Sequence, residues 1–250
     1  MKIIDAYCGV GPWAVKDKIT PCEPAEILAI MDSCGVDAAL VFSNLIAYNA
    51  WAPDANRLAA EAAAASRGRF IPAFVLAPRP YQESLTPADF AAAMKRAGAR
   101  TAWLWPAHQQ HGVSLWLIGD LLSLCVQKRI PLFLPADNVT PDQIHDICRG
   151  FPKLRLVLVN LGYRSDNWLY PLLKLHRELR VCLGSTYIPP LGPEQFVRHF
   201  GAGRLIFGSG LPQFAPGGLI AHVMYSRLQD ADKRKILAGN IEALMKEVRL

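Results

Sequence analysis

Charge is scarce in this chain. Asp, Glu, Lys and Arg make up 19% of the 250 residues, against about 25% in an ordinary soluble domain. With 52% hydrophobic residues, that balance excludes a solvated, disordered polypeptide and leaves enough apolar surface for a sizeable core. Long apolar runs are missing too. None approaches the roughly 18–20 residues that span a bilayer, so no membrane association is expected. The opening Met1-Lys2-Ile3-Ile4-Asp5 lacks the basic segment and long apolar core of a secretion signal, so a cytoplasmic location is the expectation. The six cysteines contain no C-x-x-C pair, which argues against a zinc cluster or a disulfide framework and for reduced, mostly buried thiols. No low-complexity linker breaks the sequence, so one domain over residues 1–250 is expected.

The net charge of +6 is uneven. Residues 1–125 hold 10 Lys/Arg against 11 Asp/Glu, and residues 126–250 hold 17 against 10. The basic excess is dispersed, and Lys233-Arg234-Lys235 is the one tight run. That run reads as a solvated helix face. Nucleic acid binding needs a coherent basic patch with stacking aromatics, which the sequence does not offer.

What is present is alternation. Short apolar segments read as strands at Ile3–Tyr7, Val36–Phe42, Arg69–Leu76, Thr101–Trp105, Pro131–Leu134, Leu154–Val159, Arg180–Gly184 and Leu205–Phe207. Each is followed by a segment of helical period: Glu23–Cys34, Asp54–Arg67, Thr86 to Gly98, Ser114–Lys128, Thr140 to Gly150, Asp166–Glu178, Pro193–Phe200 and Leu219–Leu228, with Lys233–Lys246 closing the chain. Thr86-Pro87-Ala88-Asp89 and Thr140-Pro141-Asp142 are helix starts, with a threonine cap and proline in the first turn. The strands lack polar alternation, as expected where both faces are buried. Eight such units in about 250 residues predict an α/β fold, a (β/α)8 barrel. An open, doubly wound sheet is the runner-up. Its usual glycine-rich phosphate loop is poor here, because Cys8-Gly9-Val10-Gly11-Pro12 has no third glycine.

Four stretches, in order along nearly the whole chain, carry a resemblance: Ile3-Ile4-Asp5-Ala6; Phe151-Pro152-Lys153-Leu154-Arg155-Leu156-Val157-Leu158 with Leu161-Gly162; Phe200-Gly201-Ala202-Gly203-Arg204-Leu205-Ile206-Phe207-Gly208-Ser209; and Lys235-Ile236-Leu237-Ala238-Gly239-Asn240. In these the chain resembles the amidohydrolase-related (amidohydrolase 2 type) metal-dependent hydrolases and decarboxylases, which are TIM barrels. The family pattern has I-D-x-H-x-H at strand one, a histidine ending strand five, H-L-G after strand six and G-S-D after strand eight. Here Tyr7 and Gly9 stand at the first two histidine positions, Pro135 at the third, Asn160 at the fourth, and Gly210 at the aspartate. A divalent metal needs about three or four nitrogen or carboxylate ligands at one point, and the aspartate is the family's proton-transfer group. The resemblance therefore carries over the fold and no metal ligand, and no cofactor is expected.

Candidate residues sit at the strand ends, where barrel sites are built. Tyr7, Arg79, Trp105, Asn160, Arg164, Tyr187 and Gln213 are candidates for ligand binding, with Asn44 and Ser209 in the same polar set. Arg79 and Arg164 could each pair with a ligand carboxylate; a surface salt bridge is the plainer reading of both. Trp103 and Trp105 share one side of strand four, as core packing or as a pocket wall. The weaker catalytic candidates are Cys8, His108, His111 and Asp137: Cys8 as a nucleophile or a plain buried thiol, the histidines as a base with Asp137, as metal ligands, or as ordinary loop residues. The leading expectation is a barrel without the family's metal centre that binds a small molecule, anionic if the arginines take part. The alternative is an active hydrolase or lyase on small carboxylate or lactone substrates at a relocated site, either metal-independent or with a rebuilt metal. A third reading is a structural or regulatory partner of an active relative. Self-association into a homo-oligomer is left open.

Overall fold

Eight apolar segments pair edge to edge, all parallel and in chain order: β1 (Ile4–Val10), β2 (Ala38–Ser43), β3 (Phe70–Leu76), β4 (Thr101–Leu104), β5 (Leu132–Pro135), β6 (Leu156–Val159), β7 (Arg180–Leu183) and β8 (Leu205–Phe207). The structure is a computed structural model that describes residues 1–12, 20–48, 52–78, 85–184, 186–189 and 192–250. Helices α1 (Pro24–Cys34), α2 (Ala52–Ala65), α3 (Pro87–Ala97), α4 (Leu115–Lys128), α5 (Pro141–Gly150), α6 (Asp166–Leu175), α7 (Gly192–Phe200) and α8 (Gly217–Met224) follow the strands in turn. The expected (β/α)8 barrel is thus what forms. Both threonine caps are in place: Thr86 accepts the Asp89 N–H and Thr140 the Gln143 N–H, each with proline next in the chain.

The side chains of each strand divide between two layers, as a two-residue period requires. Ile4, Leu40, Val75, Trp103, Phe133, Val157, Cys182 and Ile206 fill the barrel interior. Their neighbours in sequence, among them Val41, Leu76, Leu104, Leu134, Leu158, Val181 and Phe207, pack outward under the helices. The interior is aromatic on one side. Phe133, Trp103 and Trp105 form a stack, with centroids 4.8 Å and 5.3 Å apart and interplanar angles of 20° and 7°, while β1 and β3 contribute Ala6 and Ala73.

Several boundaries depart from the expected ones, most of all toward the C-terminal end. Helix α6 stops at Leu175 rather than Glu178, because the Arg204 guanidinium takes the chain's carbonyls just there. It donates to Leu173 O at 3.0 Å, His176 O at 2.7 Å and Leu179 O at 2.5 Å. Helix α8 spans Gly217–Met224 rather than Leu219–Leu228, and Ser226 Oγ donates to Val223 O at its end. The closing helix begins early, as α9 (Asp230–Arg234), and runs through a π-helical turn at Lys235–Gly239 into α10 (Asn240–Lys246). This last segment seals the N-terminal end of the barrel. Ala238, Ile241 and Leu244 join the interior cluster, and Asn240 donates to Ala202 O and Leu205 O at the start of β8.

Candidate functional site

The barrel closes at a seam between β1 and β8, and the seam leads straight into the mouth. Strand β1 runs to Val10, past the expected end at Tyr7, because its pairing with β2 resumes after a register shift between Asp5 and Cys8. Beyond β8, Gly210 N–H donates to Tyr7 O at 3.0 Å and Gly9 N–H to Leu211 O at 2.7 Å. Below those bonds one side chain does the pairing. The fully buried Asp5 carboxylate accepts from Tyr7 N–H (3.0 Å), Ser209 N–H (2.9 Å) and Ser209 Oγ (2.5 Å). Ser209 Oγ in turn accepts the Leu211 N–H at 3.0 Å. Burial raises the Asp5 carboxyl to about 6 despite these donors.

Above the seam lies a cavity of about 210 Å³. The ends of β1, β2, β4, β5, β6 and β8 supply its wall. Tyr7, Asn44, Trp105, His108, Asp137, Asn160 and Gln213 all line it, so most of the expected strand-end residues do meet. The apolar liners Phe42, Ile46, Leu211 and Pro212 were not among the sequence candidates; Phe42 was legible as the inward phase of β2. Asn160 lies beside both the Tyr7 hydroxyl and the Asp137 carboxyl and favours the charged form of each, and His108 lies close enough to Asp137 to favour its charged form too. Asn160 sits at φ 52°, a left-handed conformation that asparagine tolerates. Burial raises the Tyr7 hydroxyl well above its ordinary range, and partial burial raises Asp137 from the ordinary carboxylate value.

Asn44 is the most constrained of the polar liners. It is 1% exposed, and its Nδ2 donates to Gly11 O at 2.7 Å, which settles the carboxamide orientation. Among the described residues its Oδ1 has no hydrogen-bond partner, and it lies 2.0 Å from where a Cβ on Gly9 would be. Trp105 Nε1 and His108 Nδ1 are likewise buried without partners, and the two rings meet edge to face at 5.1 Å.

Other candidates lie elsewhere. Cys8 faces the outer layer, fully buried among apolar side chains, because Tyr7 and Gly9 on either side of it line the cavity; burial pushes its thiol well up. His111 is outside the lining, with Nδ1 on Gly112 O at 2.9 Å. Arg164 is exposed and sits over the Tyr163 ring at 5.2 Å. Tyr187 is buried and donates to Asp166 Oδ1 at 2.7 Å. Arg79 lies outside the described residues.

The family model described as amidohydrolase matches residues 38–246. The chain belongs to the amidohydrolase family. Solved structures agree on the fold. A TIM-barrel protein of Bordetella bronchiseptica superposes with a TM-score of 0.71 at 17% identity, covering 99% of both chains. A 5-carboxyvanillate decarboxylase from Sphingomonas paucimobilis gives 0.71 at 15% identity, covering 98% of this chain and 99% of that one. A 4-oxalomesaconate hydratase from Rhodopseudomonas palustris gives 0.70 at 15%, covering 98% and 96%. A comparison with curated proteins finds no match.

In this member of the family the positions of the ligand pattern all lie at the mouth or beside it. Tyr7, Gly9, Asn160 and Gly210 line the cavity. Pro135 ends β5, paired with Val159, where the ladder to β4 has already stopped at Phe133 and its missing N–H is not needed. Gly210 has φ 81°, and a Cβ there would stand 3.2 Å from the Phe214 ring. Among the described residues no three His, Cys, Asp or Glu side chains gather as a metal site would require.

Proposed function

We propose that this chain is an amidohydrolase-family barrel that binds a small molecule in its mouth cavity without the family's divalent metal centre. One observation carries the reading. The space into which a side chain at position 9 would project already holds the Asn44 carboxamide, whose Oδ1 stands 2.0 Å from the Cβ position. The second ligand position of the family pattern therefore lacks an imidazole and also lacks room for one. The other positions point the same way. Tyr7 and Asn160 stand beside each other at the first and fourth positions, and a Cβ at Gly210, on a left-handed backbone, would stand 3.2 Å from the Phe214 ring. The donors present do not fit a His- and carboxylate-ligated ion. The cavity, at about 210 Å³, falls below the roughly 300–1,000 Å³ of drug-sized pockets and suits a compact ligand.

A second reading keeps an enzyme, a hydrolase or lyase with a relocated, metal-independent centre. What favours it is the charge interaction of His108 with Asp137 beside Asn160 and Tyr7. Its base would be His108 or Asp137, since Cys8 and His111 do not line the cavity.

Elemental analysis of the purified protein, prepared without chelator, tests the leading reading. Zinc, manganese and iron are expected well below one ion per chain, and a chelator is expected to leave the melting temperature unchanged. A stoichiometric ion would overturn it. Turnover of a lactone or carboxylate substrate, abolished by His108→Ala or Asn160→Ala in metal-free protein, would establish the second reading instead.

A further inference from the structure

The chemistry of the cavity wall specifies the charge of what it takes. Tyr7, Phe42 and Trp105 line it together, with ring centroids 5.3–6.3 Å apart, so they form one continuous aromatic surface. Trp103 backs that surface, 5.1 Å from Tyr7, 5.0 Å from Phe42 and 5.3 Å from Trp105. Aromatic faces carry negative potential and attract cations. Among the described lining residues there is one carboxylate, Asp137, and no Lys or Arg. Of the expected anion partners, Arg164 lies over Tyr163, and Arg79 falls outside the described residues.

The unpartnered atoms narrow the ligand further. Asn44 is almost wholly buried, and because its Nδ2 is spent on Gly11 O, the free atom is an acceptor. A ligand that satisfies it must bring an N–H or O–H donor. A buried acceptor left unmet has lost its water and gained nothing in return. Resting on the reading of this cavity as a metal-free binding site, we infer that its ligand is a small organic cation with an N–H donor, a protonated amine whose ammonium donates to Asn44 Oδ1 in a cavity whose carboxylate, Asp137, favours the positive charge, while its apolar part lies on the Tyr7–Phe42–Trp105 surface. Trp105 Nε1 remains to donate to an acceptor elsewhere on the ligand.

Four probes of one shape separate charge from donor: benzylammonium, benzyltrimethylammonium, benzyl alcohol and benzoate. Calorimetric titration of the metal-analysed protein at neutral pH is the measurement. Benzylammonium is expected to bind about tenfold more tightly than benzyl alcohol or benzoate, the equivalent of one charge-assisted hydrogen bond. Benzyltrimethylammonium, with the same charge and no N–H, is expected to be weaker than benzylammonium. Asp137→Asn, a change on the exposed rim, is expected to weaken benzylammonium up to about fivefold, the scale of a partly exposed ion pair, and to leave benzyl alcohol unchanged. Tighter binding of benzoate than of benzylammonium overturns the assignment of charge while a metal-free binding site stands. Binding of no probe, or identical benzylammonium affinity in Asp137→Asn, overturns it as well. A stoichiometric metal ion overturns the underlying reading instead.

Discussion

Replacing Gly9 with alanine tests the contact on which the reading of the mouth depends. The added methyl would sit 2.0 Å from Asn44 Oδ1 and 3.1 Å from its Cγ, far inside van der Waals contact. Asn44 cannot simply turn aside, because its Nδ2 is tied to Gly11 O and the residue is buried. Overpacking of this kind costs about 1–3 kcal/mol, and loss of the Asn44–Gly11 bond adds about 1 kcal/mol. Gly9→Ala is therefore expected to destabilise by about 2–4 kcal/mol, which for a chain of this size lowers the melting temperature by roughly 5–15 °C. The control is a double-mutant cycle. Asn44→Ala alone forfeits the same hydrogen bond and leaves a void, but it also removes the obstruction, so Gly9→Ala on that background is expected to cost almost nothing. Urea denaturation of the four proteins gives the coupling directly, expected at about 2–4 kcal/mol. Additive effects, or a Gly9→Ala cost below about 0.5 kcal/mol, would refute the claim that Asn44 occupies the space of the missing side chain, and with it the main argument against a metal ligand at position 9.

Two further measurements address the seam and the core. Asp5 has its carboxyl raised to about 6 from an ordinary 3.8, so the folded chain holds that proton more tightly than the unfolded chain. The contribution to stability is then largest below about pH 4, falls as pH rises through about 6, and is flat above, by up to about 3 kcal/mol in all. The stability difference between native protein and Asp5→Asn should decline by that order between pH 4 and 7; a difference independent of pH would contradict it. Trp103→Ala empties the middle of a three-ring stack and is expected to cost about 3–5 kcal/mol with loss of near-ultraviolet dichroism; a cost below about 1 kcal/mol would mean that the ring is not packed as described.

Much of this protein was legible in the chain itself. Strand and helix order, both Thr-Pro caps and the barrel follow from local periods and from residues whose effect reaches no further than one turn. The inward phase of β1 was legible too: if Tyr7 and Gly9 face the cavity, Cys8 between them must face the helices, and so it does. Other features needed partners distant in sequence. The end of α6 is decided by Arg204, the seam by Asp5 meeting Ser209 across 204 positions, and the orientation of Asn44 by Gly11 across 33. Tyr187 was drawn to Asp166 and Arg164 to Tyr163 by neighbours that no spacing rule identifies. A two- or 3.6-residue period determines which way a side chain leaves its own element. Which polar groups then converge depends on the register and stagger of eight strands at once, and only the closed barrel decides that.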